Sequence, residues 1–169
     1  ASLSMVFLTT MAAIPLVYNI IKVEEKKDLK DISEKKLLKE HSKALKVFIN
    51  YFLGCTLAFA FWYVIMPADT LQLLFSVQTD TITSIRSSVT GNASSLGKIF
   101  FDILSNNLKV LIFCILFSFL YGIGAIFILT WNASVIGVAI GDTIRSGIYQ
   151  IGKSFNLFNG VEYFSIISY

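Results

Sequence analysis

Asp142 and Arg145 stand three residues apart inside the apolar stretch GVAIGDTIRSGIYQI, and they are the residues of this chain whose types and spacing could do chemistry. A charged side chain at the centre of a bilayer costs about 2.5–3.5 kcal/mol on insertion scales, so both are expected to face protein or water rather than lipid. On a helix, residues three apart are neighbours and an acid and a base can pair. Two roles are open to them. With Asn106, Asn107 and Asn132 they could line a polar intramembrane path or substrate pocket. Alternatively the pair neutralises itself near an interface and locks helix packing, with Arg145 snorkelling towards a surface. The packing role is the preferred reading.

Other chemistries lack their residues. The chain has one histidine, His41, placed among lysines, and two cysteines, Cys55 and Cys114, each within an apolar run. A thiol in such a run behaves as a small hydrophobe, and no further groups accompany either at metal-ligand spacing. No Ser–His–Asp set, phosphate loop or spaced carboxylate pair is present, so neither catalysis nor a cofactor is expected. Basic residues alternate with acids, which argues against nucleic acid as a partner.

The elements that must position Asp142 and Arg145 are membrane helices. The 169 residues are 55% hydrophobic with a mean hydropathy of +0.70, against about 45–50% apolar in a soluble domain. One membrane domain over residues 1–169 is expected, with spans at about 1–23, 47–66 and 108–129. At about 1.5 Å per residue each is long enough for a hydrocarbon core of about 30 Å. Pro15 in the first span is read as a tolerated kink. Both ends stop inside apolar sequence and are expected to be truncated.

Between the first two spans, residues 22–46 hold nine lysines and six acids. That places this loop on the cytoplasmic side of a multi-pass cell-membrane protein. Asp31 and Glu34 have the spacing of a capping box, and Leu37, Leu38, His41, Ala44, Leu45 and Phe48 recur at helical intervals. These residues are read as a cytoplasmic amphipathic extension of the second span, either a basic helix on anionic lipid or part of a solvated hairpin that sets topology, and the hairpin is preferred.

Phe61, Trp62 and Tyr63 read as interfacial anchors near the outer end of the second span. Residues 67–105 then form an outer amphipathic segment. Leu71, Phe75, Gln78, Ile82, Ile85 and Val89 fall on one helical face, which would lie on the membrane or pack against other subunits. Asn92-Ala93-Ser94 is a glycosylation sequon on the outer side. Asn132-Ala133-Ser134 has the same form but belongs near the inner surface.

Residues 106–145 are the centre of the chain. Ser118, Gly122 and Gly124 set small residues among bulky ones, and Ala133, Gly137 and Gly141 repeat every four, which lets helix backbones approach closely in lipid. The apolar run from Ala133 to Gly141 is only about 14 Å long as a helix. A broken or re-entrant helix over about 132–151, beginning near Asn132, is therefore expected.

Asn106-Asn107, the apolar helix with Gly122-x-Gly124, then Asn132 and Gly137-x-x-x-Gly141 resemble the stage II sporulation protein M family, and the lysine-rich loop resembles its archaeal branch. Where the family usually has glycine after the asparagine, this chain has Ala133, and its closing His-Gly-x-x-Glu element has only a loose echo in Asn159-Gly160-Val161-Glu162. The resemblance implies a membrane component without a catalytic site. In spore formers the family member acts in an engulfment machine with peptidoglycan-degrading partners.

The expectation is thus an all-α polytopic integral membrane bundle with a broken or re-entrant helix and an outer amphipathic segment. Its function is expected to be non-enzymatic, as a scaffold or assembly component that sits in the lipid bilayer as a homo-oligomer or in a complex with other membrane proteins. A channel or transporter subunit, with a polar site at Asp142 and Arg145, is the alternative.

Overall fold

The computed structural model describes residues 2–28, 34–91, 96–119 and 123–154. Within them the chain is helical apart from the Met66-Pro67 bend: α1 is Ser2–Asp28, α2 Glu34–Ile65, α3 Ala68–Gly91, α4 Leu96–Phe119 and α5 Ile123–Ser154. Among the described residues three stretches are long and apolar enough to cross a membrane, Ser2–Ile20, Ser42–Ile65 and Gly124–Ser154. The chain is an all-helical membrane bundle.

At its centre is the pairing of α5 with α2, the most extensive contact between helices. Tyr51 meets Thr130, Thr56 and Phe59 meet Gly137, Ala60 and Tyr63 meet Gly141, and Met66 meets Arg145. Both sets of numbers rise together, so α5 runs beside α2 in the same direction. α1 runs the opposite way. Its Ala13 and Val17 pack with Ile126, Phe48 and Tyr51, whereas Met5 packs on the Phe59–Tyr63 cluster and Ser2 reaches Ser76 at 3.1 Å. α1 continues through Pro15, whose missing N–H leaves the helix unbroken.

Three expectations change in register. Residues 108–129, expected as one span, are divided between α4, which holds 108–119, and α5, which holds 123–129, and 120–122 lie outside the described residues. The break expected near Asn132 does not occur, because α5 passes through Asn132, Asp142 and Arg145 as a single helix about 48 Å long. Its charges are accommodated by protein contacts, so they do not end the span. Thirdly, residues 96–105 of the expected outer segment and the start of the span expected from Leu108 are one element, α4.

The basic loop is mostly helix too. α1 runs on to Asp28 and α2 begins at Glu34, so the lysine-bearing segment from Glu34 onward is the extension of the second span that its helical spacing indicated. Asp31 lies outside the described residues.

α3 carries the amphipathic face read from its sequence and turns it onto its own chain. Leu71, Phe75, Gln78 and Ile82 are buried, with Phe75 against Phe59, Tyr63 and Val138, while Thr79, Asp80, Thr83 and Ser87 are exposed. Ile85, expected on the packed face, is exposed. The aromatic triplet divides: Phe61 and Trp62 point outward, but Tyr63 is only 6% exposed and packs edge-on against Phe75 at 5.4 Å. Position near the span's end suggested three anchors; a helix turns by about 100° per residue and puts the third inside.

Candidate functional site

The polar contacts of the bundle gather where α2 ends. Proline at 67 has no N–H, so the carbonyl of Tyr63, which would be bonded by the residue four places on, loses its helical partner. The chain bends there, although Met66 N–H still bonds Trp62 O at 3.0 Å and Leu71 N–H bonds Pro67 O at 3.1 Å. Left-over carbonyls at a helix end carry the negative end of its dipole and call for a donor.

Arg145 supplies it. Its Nη1 lies 2.8 Å from Met66 O, 3.1 Å from Val64 O and 3.4 Å from Tyr63 O, and its side chain is 1% exposed. A guanidinium stays protonated in proteins and offers five donors in a plane, which suits a fan of carbonyls. The site is thus a buried cation used as the cap of a neighbouring helix.

Close approach of the two backbones makes the reach possible. A Cβ built on Gly137 would stand 2.6 Å from Thr56 O and 2.8 Å from Phe59 Cβ. One built on Gly141 would stand 2.8 Å from Tyr63 Cβ and 3.0 Å from Ala60 O. Ala133, one turn earlier, is fully buried. These small residues lie within the chain's own α2–α5 seam, and Arg145 follows Gly141 by one turn on the same face.

Asp142 has a different partner from the neighbour its spacing suggested: its Oδ2 accepts from Arg86 Nη2 at 3.2 Å, across to α3. The pair is partly open, with Arg86 59% exposed and Asp142 18%. On the inner side of α3, Gln78 is fully buried and its Nε2 donates to Ser134 Oγ at 3.3 Å, while Ser134 Oγ donates to Trp131 O at 2.7 Å. Lower on the seam Thr130 donates to Ile126 O at 2.8 Å, which leaves Tyr51 as the donor in its 2.8 Å bond to Thr130.

The remaining residues suggested by sequence are dispersed. Asn132 donates to Ile128 O on its own helix at 2.8 Å, ten residues before Asp142. Asn107 is exposed on α4, and Asn106 and Ser118 belong to α4. Gly124 is in the first turn of α5. Gly122 and Asn92 lie outside the described residues, whereas Ala133 and Ser134 of the second sequon are fully buried in the bundle. Sequence reasoning placed Gln78 on the packed face of α3 without its partner Ser134, and it missed Arg86 and the carbonyls behind Pro67, of which only the last had a local signal, the proline itself. Among the described residues no group of three or more His, Cys, Asp or Glu could hold a metal ion.

Neither a curated protein nor a solved structure matches this chain. A family model does, that of stage II sporulation protein M, and it covers residues 47–161, from within the second span past the end of α5. The chain therefore belongs to the stage II sporulation protein M family.

Proposed function

We propose that the chain is a non-enzymatic scaffold, an assembly component of a membrane protein complex. The observation that carries this reading is the employment of the intramembrane polar groups: Arg145 caps α2, Asp142 holds Arg86 of α3, and Ser134 receives Gln78. Each ties one element of the chain to another. The outward surface carries many apolar side chains, with Phe100, Phe101, Leu104, Leu108, Leu111, Ile112, Ile115 and Leu116 of α4 exposed beside Asn107 and Lys109. Membership of a family not known as enzymatic agrees with it. In this reading residues 22–46 are cytoplasmic, as their lysines require, and α3 lies at the opposite face.

Purification from native membranes in mild detergent, followed by mass spectrometry of the intact complex, tests the proposal. Co-purifying membrane proteins, or a defined number of copies of this chain, are the expected result. A chain that is monomeric and alone, and that conducts ions in liposomes with a flux abolished by Asp142→Asn with Arg145→Met, would overturn it in favour of a channel or transporter subunit.

A further inference from the structure

A groove of about 480 Å³ lies between α1 and α2, with Phe75 of α3 also in its lining, and at Met66 it adjoins the polar site. Met5 and Thr9 form one wall, while Gly54, Cys55 and Ala58 form the floor and Trp62 and Met66 the end by the Pro67 bend. Gly54 shapes it, since a Cβ there would find no atom within 4 Å. Trp62, Gly54 and Ala58 are exposed, so the groove opens outward, and both helices lining it are membrane spans at this point. Its opening faces hydrocarbon.

We propose that this groove holds one acyl chain of a phospholipid from the leaflet at the Met66 end. Size is that of a chain. An apolar cavity of about 150 Å³ takes the six carbons of benzene, so 480 Å³ takes about nineteen carbons. Length agrees as well: from Met66 down to Tyr51, at the groove's deep end, α2 rises about 22 Å, enough to receive a chain through one leaflet's half of a hydrocarbon core about 30 Å thick. The lining is suited to a chain because its polar groups are engaged elsewhere: Thr9 donates to Met5 O at 2.9 Å and the Tyr51 hydroxyl is bonded to Thr130. Trp62 at the mouth is the residue type that sits at headgroup level.

The test uses the full chain in vesicles of phosphatidylcholine whose acyl chain carries a photoactivatable diazirine, with adducts mapped by mass spectrometry. Adducts concentrated on Met5, Cys55 and Met66 are expected, and they should disappear in Gly54→Leu, a substitution whose Cβ meets no atom within 4 Å. Ala58→Phe fills the groove from a second position and should do the same. Labelling of the outward Leu57 and Phe61 should persist in both variants. Even labelling of all outward faces, adducts on the groove that survive both variants, or cross-links from the groove to a second copy of the chain would each overturn the proposal.

Discussion

Gly141 and Tyr63 meet so closely that a Cβ on the glycine would lie 2.8 Å from the Cβ of the tyrosine, and one turn earlier the obstacle at Gly137 is the backbone oxygen of Thr56 at 2.6 Å. Backbone cannot rotate aside as a side chain can, so α5 would have to lift from α2. Gly137→Ala should therefore destabilise the bundle by about 1–3 kcal/mol, the usual range for overpacking. Gly147, on the same helix, has open space where its Cβ would be. There alanine should be neutral or stabilise by up to about 0.5–1 kcal/mol through helix propensity. Thermal melts of both variants in one detergent check the contrast, and equal behaviour would remove the seam as the explanation.

Arg145 and Pro67 form a functional pair without touching as donor and acceptor: the proline strands carbonyls and the arginine collects them. Arg145→Met should cost at least about 1–3 kcal/mol, the penalty for leaving buried acceptors unmet. Arg145→Lys should recover part of the loss, since an ammonium reaches a carbonyl but lacks the planar fork. Pro67→Ala restores an N–H that can bond Tyr63 O. Its cost should be smaller in the Arg145→Met background than in the wild type, a coupling that a double-mutant cycle measures.

The Arg86–Asp142 pair promises less than its position suggests. With Arg86 more than half exposed, solvent screens the attraction, and such pairs contribute about 0.2–1 kcal/mol. Asp142→Asn should shift the melting temperature little, and a cycle with Arg86→Gln should give a coupling that shrinks as salt is raised. Coupling unaffected by salt would mean that the pair is more enclosed than its exposure indicates.

What the sequence could tell was local. The four-residue spacing of Ala133, Gly137 and Gly141 marks a close-packing face because the side chains of one helix fix it. The alternation in α3 marks Leu71, Phe75, Gln78 and Ile82 for the same reason. Partner identity was not local. Arg145 reaches Met66 across 79 positions and Asp142 reaches Arg86 across 56, so nearest-neighbour spacing proposed the wrong associate for Asp142. The apolar run ending at Gly141 looked too short to cross the membrane because charges were counted as stops. Once Arg145 is bonded to three carbonyls its charge is accommodated, and α5 continues to Ser154.

Gln78 carries the least intuitive expectation. It is fully buried, its amide nitrogen makes a 3.3 Å bond to Ser134, and its Oε1 has no hydrogen-bond partner among the described residues. A buried amide oxygen without a donor costs about 1–3 kcal/mol, more than the net contribution of about 0.5–1.5 kcal/mol from one neutral hydrogen bond. Ser134 keeps its own donor bond to Trp131 O, so removing the glutamine amide strands no hydrogen. Gln78→Met, close in length and apolar, should consequently leave stability unchanged or raise it. Gln78→Ala should lower it by opening a cavity beside Phe75. The two melts read together distinguish packing from polarity. If Met destabilises as much as Ala, the amide itself holds α3 to α5 and Oε1 is satisfied in the membrane.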